Sequence, residues 1–443
     1  MAIAGYLAYE SYKESGVEWI GMVPSAWNVE RGKWLFKKMD RPVRPNDDIV
    51  TCFRDGQVTL RNNRRTDGFT NALKEHGYQG IRKGDLVIHA MDAFAGAIGV
   101  SDSDGKSTPV YSACVPRNAD TVDPYFYAYY MRHVALSGLL VSIAKGIRER
   151  STDFRFNDFA DLELAYPSLL EQRAISKFLD EKCEGIDEAV RIKEQEIDLL
   201  RERRQILIQE AVTRGLDPAA PMKDSGIDWI GRIPAHWDLR NFRYLINVLT
   251  DFTANGSFAD LAKNVTYLDT PDFSRLIRLT DLRKNLDNDG VFLDKNSHGF
   301  LKKSELFGGE ILMANVGAYA GYTCIMPFTD CVATLGPNMF LIRQSQEMLA
   351  DYLVLLLNSS AYWGYLQSAA QASAQPKLNK ENVRSIRILL PPAVDQHKIV
   401  AHIDEMSRKI DDCIAIKERQ ITALKEYKIS LINSAVTGKI KVI

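Results

Sequence analysis

One segment of this sequence occurs twice. Ser15-Gly16-Val17-Glu18-Trp19-Ile20-Gly21-Met22-Val23-Pro24-Ser25-Ala26-Trp27 returns as Ser225-Gly226-Ile227-Asp228-Trp229-Ile230-Gly231-Arg232-Ile233-Pro234-Ala235-His236-Trp237, 210 residues later (225 − 15) and without a gap. A second repeat has another offset. Glu171-Gln172-Arg173-Ala174-Ile175 is answered by Asp395-Gln396-His397-Lys398-Ile399, 224 residues on (396 − 172). That match continues through Ile186-Asp187 and Ile410-Asp411 to Ala211-Val212-Thr213 and Ala435-Val436-Thr437. Self-similarity constrains a fold more than any local propensity, because both copies must suit the same architecture. The 14-residue change of offset puts extra length between the repeated segments of the second half. Each half is a constant motif, a variable body and a constant tail.

The tails read as helices. From Leu169 to Val212 there is no Pro, and Gly185 is the only Gly. Steps of alternately four and three residues link Leu179, Cys183, Ile186, Val190, Lys193, Ile197, Leu200, Arg204, Leu207 and Ala211. The second tail repeats the seam as Ile403, Ser407, Ile410, Ile414, Lys417, Ile421, Leu424, Lys428, Leu431 and Ala435. This is a heptad seam between faces rich in Glu, Lys and Arg. A helix of roughly 44 residues is about 65 Å long and needs a partner for its apolar seam. The obvious partner is its own copy, antiparallel if a two-fold axis relates the halves. The polar breaks at Lys193, Lys417, Arg204 and Lys428 fix register, face another protein, or snorkel out of the seam. The expected segments are a first body with its leading motif at 1–165, a first long helix at 166–214, a second body at 215–389 and a second long helix at 390–443. The two-fold relation predicts that residue 12 lies near Val436, as Met222 follows Val212 in the other half.

The bodies read as mixed α/β. Asp85-Leu86-Val87-Ile88 and Glu310-Ile311-Leu312-Met313 have the pattern of buried strands, each after a Gly and each leading to a small-residue turn at Ala93–Gly96 or Ala318–Gly321. Helical stretches follow at Pro124–Val141 and Leu349–Gln371. One scaffold with divergent surfaces suits two related recognition tasks. Polar candidates for such faces are Arg61, Asn62, Asn63, Arg64 and Arg65, then Lys145, Arg148 and Arg150 before the first tail. In the second body they are Arg275 and Arg278, then Gln371, Gln375, Lys377 and Lys380 before the second tail. Arg and Asn can bond base edges or phosphate; the alternative for each is a solvated loop. Lys plus Arg number 56 and Asp plus Glu 57, for a net charge of −1. That balance excludes a uniformly basic coat but not local patches.

Catalytic signatures are missing. The sequence has no G-x-x-x-x-G-K-[ST] loop, no G-x-G-x-x-G after a strand and no G-x-S-x-G. Its seven His show no H-x-x-x-H spacing, and its six Cys form no CxxC pair, so no metal site is expected. Asp123-Pro124-Tyr125-Phe126 approaches the [DNS]-P-P-[YF] loop of DNA amino-methyltransferases but lacks its second Pro. It reads better as a helix start, with Asp as cap and Pro in the first position. The longest apolar run falls far short of the ~20 residues of a membrane span. The chain therefore reads as a soluble, intracellular protein.

The repeated Ser-Gly-x-x-Trp-Ile-Gly-x-x-Pro-x-x-Trp motif, the Pro-led entrances ending at Gln172 and Gln396, the strands after Gly84 and Gly309 and the paired tails together resemble the specificity (S) subunit of type I restriction–modification systems. The resemblance implies an α/β fold. Two similar target recognition domains would be separated by an antiparallel two-helix coiled coil with pseudo-two-fold symmetry. It implies that each body reads half of a bipartite double-stranded DNA target, with no catalytic site in this chain. Two modification (methyltransferase) subunits would dock on it and bind S-adenosylmethionine. Restriction (translocase and nuclease) subunits using ATP and Mg²⁺ would join them. This chain would bind no cofactor or metal and would work in bacterial or archaeal cytoplasm. Trp19, Trp27, Trp229, Trp237, Lys193 and Lys417 are candidates for partner docking, because they look alike to both partner copies. For the tryptophans the alternative is that they pin each tail to a body. Two other functions stay open: a self-contained DNA adenine methyltransferase or other DNA-modifying enzyme, and a coiled-coil scaffold without nucleic acid.

Overall fold

A computed structural model describes residues 5–64, 77–143, 153–370 and 376–443. Its contacts group the chain into two units, one reaching Glu194 and including Glu418–Ile443, the other Gln195–Lys417. The tails are the helices Leu169–Arg214 and Ala393–Val436. Each gives one stretch to each unit. The unit boundaries therefore fall inside helices rather than at the helix entrances.

In the first unit the repeated motif is a hairpin, Tyr12–Glu14 against Met22–Pro24, with Tyr12 opposite Pro24. Its turn places Gly21 at φ +67°, where a side chain is disfavoured. Strand Asn28–Arg31 then pairs antiparallel with Glu163–Tyr166, the strand that enters the first long helix. Between them runs a four-stranded antiparallel sheet in the order Phe36–Lys38, Tyr111–Pro116, Leu86–His89, Ile98–Val100. Helix Pro124–Leu136 covers it. Asp123 caps that helix, accepting from Phe126 N–H at 3.3 Å, and Pro124 occupies its first turn, as the sequence predicts. Phe126, Tyr130 and Val134, with Tyr127, Met131 and Ala135, form one buried stripe at helical spacing. The expected helix Pro124–Val141 is broken at Gly138, whose φ is +88°.

The second unit repeats this frame. Met222–Asp224 pairs with Arg232–Pro234, and Asp238–Asn241 with Arg387–Leu390. Its four-stranded sheet runs Ile246–Asp251, Met339–Gln344, Ile311–Ala314, Thr323–Ile325. The expected helix Leu349–Gln371 is two helices, Ala350–Asn358 and Ser360–Ala370, meeting at the extended Ser359. The extra length builds a five-stranded mixed sheet in the order Tyr267–Leu268, Val291–Leu293, Ser274–Ile277, Ala333–Leu335, Glu305–Leu306. Among the described residues of the first unit, the corresponding stretch holds two two-stranded ribbons, Val50–Cys52 with Val58–Leu60 and Gln79–Ile81 with Gly105–Ser107.

Two buried polar side chains explain why the helix entrances are constant. Gln172 Oε1 accepts from Asp123 N–H (2.8 Å), while its Nε2 donates to the carbonyls of Thr121 (3.0 Å) and Pro167 (2.8 Å). Gln396 does the same for Leu349 N–H (2.7 Å), Glu347 (2.9 Å) and Pro391 (2.9 Å). A carboxamide is one of few side chains that offers an acceptor and two donors together. The acids after Gly84 and Gly309 have a parallel role. Asp85 accepts from Arg82 N–H (2.8 Å) and binds the Arg41 guanidinium, and Glu310 accepts from Phe307 and Gly308 N–H (2.9 Å each) and from Arg343 (3.2 Å).

The helix seam is as the heptad pattern predicts. Leu179, Cys183, Ile186, Val190, Ile197 and Ala211 are buried on one helix, and Ile403, Ile410, Leu431 and Ala435 on the other. The helices run antiparallel within each unit. In the first, Asp187 meets Lys428 at 2.6 Å and Glu194 meets Lys425 at 3.8 Å. In the second, Arg204 pairs with Asp411 and Glu196 with Lys417 at 2.6 Å. The Arg204 and Lys428 pairs are one contact made twice, at the tail offset. The predicted closure holds as well, since the Tyr12 hydroxyl donates to the Gly438 carbonyl at 3.1 Å.

Candidate nucleic-acid interface

The basic run of the first unit is a single 3-10 turn, Arg61–Asn63, after strand Val58–Leu60. Arg61 Nε donates to Thr51 Oγ1 (3.3 Å) and Asn63 Nδ2 to Thr59 Oγ1 (2.9 Å), while Asn62 is exposed. Arg64 sits over the Phe53 ring, 4.3 Å from its centroid, and pairs with Asp55 at 2.6 Å. Burial pushes the Asp55 carboxyl up, but Arg64 and the Gln57 N–H outweigh it and hold it below its ordinary range. The same pairing pushes Arg64 up. The run is therefore partly tied to its own unit and is not a row of free guanidinium groups. Arg65, Lys145, Arg148, Arg150, Gln371 and Gln375 lie outside the described residues.

The basic residues of the second unit separate by task. Arg275 Nη2 donates to the carbonyl and Oδ1 of Asn288 (3.1 Å each), beneath the five-stranded sheet's turn. Arg278 grips Asp281 with two bonds (2.9 and 2.8 Å), and Asp281 is fully buried. Burial alone would push that carboxyl up. The Arg278 and Asn288 donors win and hold it below its ordinary range. Arg275 and Arg278, two of the candidate DNA contacts, have donors that close local turns. Arg283 lies over the Tyr319 ring at 4.5 Å. Lys377 is exposed, and Lys380 pairs with Asp251 at 3.0 Å. These two lysines border a cleft of about 570 Å³ at one end of the four-stranded sheet. Asn315 and Asn338 also line it. Sequence reading overlooked Asn315, although aligning Ala318–Gly321 with Ala93–Gly96 sets it opposite Ala90, a polar residue against a methyl.

The docking candidates divide by burial. Trp27 and Trp237 are buried, so their indoles face the chain's own core. Trp27 packs edge-on to Tyr9 and Phe126, and Trp237 Nε1 donates to Asp395 Oδ2 at 3.3 Å. Trp19 and Trp229 are half-buried against Tyr130 and against Tyr362 and Tyr365. The motif thus pins each body to a tail. Lys417 is half-buried and engaged by Glu196, a contact within one unit, and Lys193 is half-buried. Among the described residues no three His, Cys, Asp or Glu side chains converge as metal ligands, and no helix is long and apolar enough to cross a membrane.

A family model described as the type I restriction modification DNA specificity domain matches residues 273–426. The putative type I restriction enzyme MjaX specificity subunit of Methanocaldococcus jannaschii is 23% identical over 333 residues, 73% of this chain and 70% of that protein. The type I restriction enzyme EcoEI specificity subunit of Escherichia coli is 27% identical over 112 residues, 24% of this chain and 19% of its own. Among solved structures, the HsdS subunit from Thermoanaerobacter tengcongensis aligns with a TM-score of 0.58 at 15% identity, covering 96% of this chain and all of its own. A chain from a structural description of assembly and conformational transition in the type I R-M system aligns with a TM-score of 0.70 at 14% identity, over 94% and 98%. The structural likeness bears on the fold, and the family model and the sequence relatives bear on descent. This chain is similar in sequence to specificity subunits of type I restriction–modification systems, and residues 273–426 match the specificity-domain model.

Proposed function

We propose that this chain is the DNA sequence-recognition subunit of a type I restriction–modification complex. Each unit reads one half of a bipartite target, and the paired helices set the spacing and dock two modification subunits. The observation that carries the reading is one scaffold built twice with different side chains at equivalent sheet ends. Repeated backbone and divergent loops are what two half-sites of unlike sequence require, since phosphate contacts position a protein while base edges specify it. The subunit itself is non-catalytic and holds no cofactor. S-adenosylmethionine belongs to the modification subunits, and ATP and Mg²⁺ to restriction subunits, all in the cytoplasm of a bacterium or archaeon.

The test offers the complex, purified through a tag on this chain, a pool of random DNA duplexes. The expected result is enrichment of two short half-sites at fixed spacing, above a non-specific background that falls steeply with salt. Equal retention of all sequences would refute the proposal. Methyl transfer from S-adenosylmethionine by this chain alone would refute its non-catalytic part.

A further inference from the structure

Strand Ile311–Ala314 ends at the cleft of the second unit, and Asn315 is the next residue. Asn315 is 8% exposed. Its main chain is clamped from two sides. Its N–H donates to the Asn338 carbonyl (3.1 Å), and its carbonyl accepts from Leu378 N–H (2.8 Å). Its side-chain Oδ1 is buried and has no hydrogen-bond partner among the described residues. The first unit provides a control within the same chain. The equivalent strand end is Ala90, whose N–H donates to Val110 (3.1 Å) and whose carbonyl accepts from Phe154 N–H (3.0 Å). An alanine is enough for the clamp, so the scaffold does not need the Asn315 carboxamide. A buried carbonyl oxygen without a donor is unfavourable until something else supplies one.

We propose that the cleft is a base-reading site of the second unit and that Asn315 is its specificity-determining residue, taking an adenine edge. This rests on the reading that the units bind DNA. An Asn carboxamide matches adenine in both senses, with Oδ1 accepting from the N6 amino group and Nδ2 donating to N7. The rim suits the rest of a nucleotide. Lys377 is exposed there and can take a phosphate oxygen. Phe258 and Tyr267, 81% and 54% exposed on the same cleft, offer aromatic faces to sugar or base. Asn338, at φ +64°, holds its loop in a left-handed turn that Asn adopts more readily than most residues.

The duplex-selection experiment is run on the complex with wild-type chain, Asn315→Ala, Asn315→Asp and Lys377→Gln. Asn315→Ala should lose the A·T preference at one position of one half-site and bind the wild-type target about tenfold less tightly. The other half-site should be unchanged, which shows in the same molecule that the chain has folded. Asn315→Asp keeps the shape but replaces the donor by an acceptor, and should move the preference away from adenine. Lys377→Gln should weaken all duplexes alike and lower the slope of log affinity against log salt by about 1. A motif unchanged in both Asn315 variants overturns the assignment and leaves DNA reading by the units intact. Failure of the wild-type complex to select any motif overturns the underlying reading instead.

Discussion

Ala90 and Asn315 hold the same backbone position in the two units, and Glu171 and Asp395 the same helix position, yet their side chains do different work. Glu171 accepts from the Tyr9 hydroxyl, and the Tyr9 ring packs edge-on to Trp27. Asp395 takes both His236 Nε2 (2.8 Å) and Trp237 Nε1 (3.3 Å), with His236 standing where the first unit has Ala26. The comparison separates what the architecture demands from what it tolerates. Backbone pairing, the glutamine ties and the helix seam recur. The polar groups at sheet ends and beside the tryptophans do not, so those are the places where two copies can acquire different tasks.

The largest effect should come from the glutamine ties. Gln172→Ala and Gln396→Ala each strip three buried or part-buried backbone groups of their partner, and each should lower unfolding free energy by about 3 kcal/mol in urea titrations. A loss at one site only would break the equivalence of the halves. Next come the tryptophans. Trp27→Phe and Trp237→Phe remove the same volume, but only the second removes a hydrogen bond to a carboxylate. Its penalty should be larger by about 1 kcal/mol, and equal penalties would show that the Asp395 contact contributes nothing. The twin ion pairs rank third: Arg204→Met and Lys428→Met should each destabilise by about 0.5 kcal/mol, less in high salt.

The smallest effect concerns acid. His236 first, with Trp237 N–H, holds the Asp395 carboxyl below its ordinary range against the effect of burial. A depressed folded pKa gives stability that is complete above the unfolded value of about 3.9 and is lost as pH falls through the folded one. The urea midpoints of wild type and Asp395→Asn should therefore differ at neutral pH and converge below about pH 4. A gap that stays constant down to pH 2 would remove the carboxylate from the explanation.

Sequence carried the repeat, both long helices, their seam and the Asp123–Pro124 helix start, because each is local or periodic. It did not carry the sheet order, which depends on pairings such as Ser274–Ile277 beside Ala333–Leu335, far apart in the chain. Nor did it carry the fate of single charges. Arg61–Arg65 look equivalent along the chain, yet Arg64 has an acidic partner nine residues upstream across a turn. Arg278 has its acidic partner three residues on, and only the fold shows that Asp281 is buried beside it. For Trp27 and Trp237, recurrence alone left both a docking surface and a pin between body and tail open, since a core also recurs when a fold is duplicated. Asn315 was hidden because one asparagine after an apolar run has no signature of its own. Only its mismatch with Ala90 marks it.

The second unit is one uninterrupted stretch, Gln195–Lys417, whereas the first is completed by Glu418–Ile443. Leu431, Ala435, Val436 and Ile440 are fully buried in the first core, and Lys441 N–H reaches the Leu7 carbonyl at 2.7 Å. On the ribosome the order of completion is therefore inverted. The body made first stays open along Pro24 and Trp27, waiting for the last helix turns, while the body made second can close from contiguous chain. A nascent chain with Lys417 but not Leu431 outside the ribosome should thus carry a finished second body and an unsealed first one, and the part open to chaperones or proteases in that window is the body made first.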